Sequence, residues 1–165
     1  MLMRNNYGFQ TQRGVPGTLY DMSPHTIDSR QNAEEVLGTM QFGVGVVKGD
    51  IPGSNVRLPQ SGDTSDMFEG VSMGSQTSYM DMEGNFKVNP KQTIGLLRWG
   101  RPWVRVVADL TIQYGDPVYL VVSGDDRGLF TNEDGGTDTW AINATFVDGL
   151  GTSNVAPIQI YNQSN

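Results

Sequence analysis

One histidine, no cysteine and a scatter of carboxylates bound the chemistry open to this chain. Without cysteine there is no disulfide, no thiolate ligand for zinc and no thiol nucleophile. His25 lies in Ser23-Pro24-His25, among Gly and Pro residues. A triad base has to be held by a packed scaffold and oriented by a third group, so His25 reads as a surface or interface residue. Neither a G-x-S-x-G elbow nor an H-E-x-x-H helix occurs. The remaining catalytic idea is a carboxylate pair for glycoside hydrolysis, drawn from Asp63, Asp66, Glu69, Asp81, Glu83, Asp125, Asp126 and Glu133. Almost all of these fall in Gly/Ser-rich stretches, where Asp stabilises turns by accepting backbone N–H bonds. The chain therefore reads as a non-enzyme.

Oxygen-rich runs could hold calcium. Asp125-Asp126-Arg127-Gly128 and Asn132-Glu133-Asp134-Gly135-Gly136-Thr137-Asp138 both qualify by composition. Neither has ligands at alternate positions closed by a Glu, so solvated turns are the better reading and no cofactor or metal is expected. Arg98-Trp99-Gly100-Arg101-Pro102-Trp103-Val104-Arg105 interleaves arginine with tryptophan. That pattern can stack bases or a sugar, or can lay arginine stems over indole faces at the edge of a core. The net charge of -7 disfavours nucleic acid and anionic membranes, leaving a core edge or a protein interface. No run of 18 apolar residues is present, and Met1–Gly14 holds no apolar stretch of signal-peptide length. Export by the general secretory route is not expected, and the sequons at Asn143 and Asn162 carry no weight.

The elements that would position these residues are short. Gly and Pro together make up about one residue in six, and Leu, Ile, Val and Phe about a quarter, enough for a modest core. Segments 1–39 read as an irregular extended arm with Gly and Pro throughout, yet with too many apolar residues for a solvated tail. Within it, Asp28–Leu37 is the one helical candidate, a turn or two with Asp28 as N-cap and Gly38 at C′. From Met40 the pattern becomes that of strands: 40–50, 54–60, 67–75, 84–90, 93–100, 101–109, 116–124, 139–149 and 156–163. Short strands every 8–12 residues with Gly, Pro, Asn and Asp between them predict an all-β body, a small jelly-roll-like sandwich or barrel over 40–165. A faint echo links Phe42-Gly43-Val44-Gly45-Val46-Val47 to Tyr114-Gly115-Asp116-Pro117-Val118-Tyr119. Both place an aromatic-Gly pair before an apolar strand that runs on to a Gly-Asp pair, Gly49-Asp50 and Gly124-Asp125, with the first Gly suited to a bulge or turn.

In order along the chain stand Asp28-Ser29-Arg30, Phe42-Gly43-Val44-Gly45-Val46-Val47-Lys48-Gly49, Val56-Arg57-Leu58-Pro59 and Phe68-Glu69-Gly70-Val71-Ser72. These are followed by Arg98-Trp99-Gly100-Arg101-Pro102-Trp103-Val104-Arg105-Val106 and Tyr114-Gly115-Asp116-Pro117-Val118-Tyr119. In order and spacing this series resembles the structural cement (capsid decoration) proteins of tailed bacteriophages, from about residue 16 to the end. The resemblance implies a homo-oligomer, a trimer ahead of a dimer, on the outer surface of the virion head. There it would bridge neighbouring major capsid proteins and stabilise the shell against packaged DNA.

With that implied partner, the arm becomes the expected gripping element. Tyr7, Phe9, Tyr20, Asp28 and Arg30 are the expected capsid or subunit contacts, and Trp99 and Trp103 are expected in the core or a subunit seam. An arm that orders only on the finished lattice would be selective for that lattice. Fully extended, its first 17 residues reach roughly 55–60 Å at about 3.3 Å per residue. Competing readings are a glycan- or receptor-binding virion module, a polysaccharide-cleaving enzyme, and a tail-tube or adaptor component.

Overall fold

The computed structural model describes residues 13–74, 79, 80, 82 and 86–161, and among these it is all-β. The strands are β1 Thr26–Asn32, β2 Gly45–Lys48, β3 Asn55–Arg57, β4 Phe68–Met73, β5 Tyr79–Met80 and β6 Phe86–Lys87. They continue as β7 Thr93–Trp99, β8 Trp103–Arg105, β9 Pro117–Val121, β10 Phe130–Thr131, β11 Thr139–Phe146 and β12 Val155–Ile160. Single 3-10 turns lead into β4 and β11. Strands β1, β3, β2, β4 and β7 close a barrel in that order, β10, β9, β11, β12 and β8 form a second sheet, and β5 pairs with β6.

The second sheet also curls round on itself. Its outer strands meet through a parallel bridge, Val106 with Phe130, and the Val107 N–H donates to the Phe130 carbonyl at 3.0 Å. With that contact the second ring reads β8, β10, β9, β11, β12, and the two rings share one plan. In each, the first strand lies parallel to the next in the ring and the other neighbours run antiparallel. The ladders agree residue by residue. The Ala33 N–H reaches the Val56 carbonyl at 2.9 Å as Val107 reaches Phe130, and Asn32 reaches Gln92 at 2.9 Å as Val106 reaches Asn154 at 2.9 Å. Gly43 reaches Ser72 at 2.7 Å as Gly115 reaches Phe146 at 2.8 Å, so the two aromatic-Gly pairs occupy equivalent positions at the mouths of β2 and β9. The Gly-Asp pairs do not: Gly49 bonds Asn55 where its ladder counterpart is Val121 bonding Leu129.

The expected helix over Asp28–Leu37 is corrected to strand β1, which runs to Asn32. Burial alternates along it, with Ile27, Ser29 and Gln31 exposed and the residues between them more covered. That is a period of two with no apolar helical stripe, and β7 supplies an antiparallel ladder from Thr26 to Gln31. Gly38, expected at a helix C′, takes its left-handed φ of +82° in a turn. The stretch read as irregular thus contributes a full strand to the first barrel.

Two cores result. Met40, Val44, Val46, Val56, Ile94 and Leu96 fill the first barrel with their neighbours. The second barrel packs Val104, Val118, Leu120, Phe130, Phe146 and Ile158, and against this same cluster lie Phe68, Val71, Met73 and Leu97 from the outer face of β4 and β7. One wall of the first barrel is therefore part of the core of the second.

Candidate interaction surface at the barrel seam

The chain from residue 13 to 25 crosses the seam between the barrels as a strap. Arg13 enters beside the loop before β12, its N–H bonding Thr152 Oγ1 at 3.1 Å and its guanidinium pairing with Asp148. Gly14 has a φ of +88°, and a Cβ there would lie 2.4 Å from the Trp103 ring, so only glycine lets the strap pass over the indole. The Gly17 N–H then bonds the Trp103 carbonyl at 2.9 Å, while Gly74 donates to the Gly17 carbonyl at 2.7 Å. The strap thus stitches β8 of one barrel to the end of β4 of the other. Trp103 N–H to Thr18 at 2.8 Å and Tyr20 N–H to Arg101 at 2.7 Å continue the pairing.

Of the residues singled out from sequence, the strap brings Tyr20 and Trp103 together, edge to face with centroids 5.5 Å apart. Trp103 is only 8% exposed and belongs to the packed seam, whereas Trp99 at the end of β7 is 37% exposed. Gly100, with a φ of +133°, and Pro102 separate the two indoles and break the strand alternation between them. The linker between the barrels is pinned by Arg101, which reaches Asp21 at 2.8 Å and Gln159 at 2.6 Å. The Ser23 hydroxyl and N–H, then Arg101, hold the Asp21 carboxyl below the usual carboxylate range. Around this linker lie exposed Met22 and Ile27 with Trp99, Tyr161 and Tyr20.

Asp28 and Arg30 stand together on β1, 3.3 Å apart, on the face whose ladder partners Leu96 and Ile94 point into the first barrel. Arg98 joins them, 3.7 Å from Asp28 and 2.9 Å from Glu69, and Glu69 is 8% exposed. The Arg30 Nε is buried without a partner among the described residues. Four charged side chains from β1, β4 and β7 therefore cap the barrel beside Trp99. Sequence reasoning weighed Glu69 and Arg98 separately, and nothing in a single sequence joins residues on different strands. Tyr7 and Phe9 lie outside the described residues.

The other candidates for chemistry are otherwise engaged or unassembled. Asp63 holds Arg57 through two bonds of 2.7 Å, and that guanidinium keeps its carboxyl below the ordinary range. His25 is exposed, with Nδ1 3.0 Å from the Ser23 carbonyl. Among the described residues no three His, Cys, Asp or Glu side chains converge to hold a metal ion, and no helix is long and apolar enough to cross a membrane.

The family model described as structural cement protein (E217 gp24/Pam3 gp6) matches residues 3–161. The chain belongs to this family of structural cement proteins. Its fold is also that of a chain in a solved structure, "The capsid of Myoviridae Phage XM1", with a TM-score of 0.73 at 17% identity over 99% of this chain and 100% of that one. No curated protein matches the chain. Family membership supports a capsid-associated structural role for the chain.

Proposed function

We propose that the protein is a capsid cement. It binds the outer surface of the assembled head as a homo-oligomer, a trimer ahead of a dimer, bridges adjacent major capsid proteins and stabilises the shell against the pressure of packaged DNA. The observation that carries this reading is the family match across residues 3–161. The capsid origin of the chain with the same fold agrees with it. A ligand that binds only the assembled lattice stabilises it by mass action, and many copies multiply a small contribution from each. The gripping surface in this reading comprises the segment before Arg13, including Tyr7 and Phe9, with Tyr20, Trp99, Asp28 and Arg30 beside the linker. Trp103 supports that surface from below. Exposed apolar side chains ringed by paired charges suit a protein partner, and the net charge of -7 disfavours competing polyanions.

The test is reconstitution. Purified protein added to expanded heads that lack it is expected to co-sediment with them and to appear as density on the shell exterior by electron cryomicroscopy. Removal of Met1–Gln12, which ends before the seam, is expected to leave the melting temperature unchanged and to abolish decoration. Full-length protein that never co-sediments, or that lodges inside the shell, would overturn the proposal.

A further inference from the structure

The two barrels treat their aromatic-Gly pairs in opposite ways. In the first, Phe42 and Gly43 are buried, and Pro16 and Gly17 of the strap lie directly on them. A Cβ on Gly17 would stand 2.7 Å from Phe42 Cβ, and one on Gly43 would stand 2.7 Å from Pro16 Cβ. In the second barrel the ladder equivalents are Tyr114 and Gly115, and Tyr114 is 83% exposed against 8% for Phe42. Gly115 is exposed as well, and its φ of +89° is close to the +75° of Gly43. The seat on which a Pro-Gly turn rests is therefore repeated in the second barrel, where it faces outward.

The chain also repeats the turn that covers the first seat. Val15-Pro16-Gly17-Thr18 turns with the Thr18 N–H on the Val15 carbonyl at 3.2 Å and a Gly17 φ of +78°. Ile51-Pro52-Gly53-Ser54, between β2 and β3, matches it in residue type at every position: β-branched apolar, Pro, Gly, hydroxyl. It matches in geometry too, with the Ser54 N–H on the Ile51 carbonyl at 3.0 Å and a Gly53 φ of +81°. Pro followed by a left-handed Gly is what a type II turn requires. All four residues of this second turn are exposed, Ile51 by 62%, so its own copy does not use it as a cover.

We infer that the 51–54 turn of one copy seats on Tyr114 and Gly115 of a second copy, as the 15–18 turn seats on Phe42 and Gly43 within the chain. The inference rests on the oligomeric part of the cement reading and names the surfaces that would build it. A Pro-Gly turn is formed before it binds, so little ordering is lost on contact, and the tyrosine ring offers the proline an apolar face. Turn and seat are different patches, so the contact is heterologous and closes as a ring, as in a trimer, when the rotation allows.

The experiment measures the mass of the full-length protein by light scattering across a concentration series, with head binding read on the same samples. Tyr114→Ala is expected to weaken self-association about 30-fold through loss of the aromatic anchor, with the melting temperature unchanged. Pro52→Arg, too large to rest against Gly115, is expected to dissociate the protein in the same way. Because the chain has no cysteine of its own, Gly53→Cys with Tyr114→Cys tests the contact directly. The double variant is expected to form a disulfide between copies on mild oxidation, and neither single variant to do so. An unchanged mass for Tyr114→Ala, no disulfide between copies in the double variant, or a monomeric wild type would each overturn the docking. A monomer that still decorates heads would do so while leaving the cement reading intact. If Tyr114→Ala keeps its mass and loses only head binding, the seat faces the shell and self-docking is wrong.

Discussion

Inside the second barrel stand Val104, Phe146 and Ile158, while positions with the same ladder partners in the first barrel carry Arg30, Ser72 and Leu96. The strand plan is shared and the filling is not. In the second barrel these positions are apolar and closely packed, and they join the larger of the two cores. In the first, Ser72 bonds instead of filling, accepting from the Val44 N–H at 3.1 Å and donating to the Gln41 carbonyl at 2.7 Å. Arg30 and Asp28 bring charge to a face that the second barrel keeps apolar. The difference teaches that one ring plan can serve as a foundation in one copy and as a carrier of polar surface in the other. The first barrel has the charge cap, Trp99 and the inserted hairpin, and it borrows rigidity by sharing its β4–β7 wall with its neighbour.

The sharpest way to break this comparison is to truncate equivalent interior positions. Phe146→Ala removes a fully buried ring and is expected to destabilise by about 3–5 kcal/mol. Ser72→Ala deletes a buried hydroxyl and its bonds, for about 1–3 kcal/mol. Urea denaturation measures both, and equal losses would mean that the two barrels carry equal load. The contact of β2 with the second barrel, beside the shared wall, is tested next. A Cβ on Gly45 would stand 2.4 Å from Leu120 Cδ1 and 3.0 Å from Phe130 Cζ, at the point where the Gly45 N–H bonds the Gly128 carbonyl at 2.8 Å. Gly45→Ala is therefore expected to wedge the barrels and destabilise by about 1–3 kcal/mol, in a single cooperative transition. Two separate transitions in the wild type would show that the barrels fold independently and that the wall is not shared in energy.

Much of the second barrel was legible because its strands obey the apolar grammar of a buried sheet, as in Asp116–Gly124 and Thr139–Gly149. The aromatic-Gly echo was legible too, and the ladders place Phe42-Gly43 and Tyr114-Gly115 in register. β1 was misread because its inward positions are Asp28 and Arg30, so polarity concealed the period of two, while Asp28, Gln31 and Gly38 imitated helix caps. β5 and β10 are two residues long, too short for any periodicity to show. The charge cap was illegible because Arg98 meets Glu69 across the β4–β7 pairing. Equally, nothing in Arg98–Val104 told that one indole would be sealed beneath the strap and the other left at the surface. That outcome depends on Gly14 passing over Trp103 from a distant part of the chain.

The smallest expected effect is the most discriminating. Val104 occupies in the second barrel the place of Arg30 in the first, so Arg30→Val makes the first barrel resemble its twin. Deleting one member of a buried ion pair usually strands the other, but here Asp28 keeps Arg98 at 3.7 Å and remains partly in contact with solvent. The substitution also removes the Arg30 Nε–H, which is buried without a partner among the described residues. The change in stability is therefore expected to stay within about 1 kcal/mol of zero, as when a buried ionic group is replaced by a well-packed apolar one. Head binding by the same variant is expected to fall, because the proposed gripping surface includes Arg30. A loss of more than about 2 kcal/mol by urea denaturation, with binding unchanged, would make the charge cap a structural element and move the gripping surface away from β1.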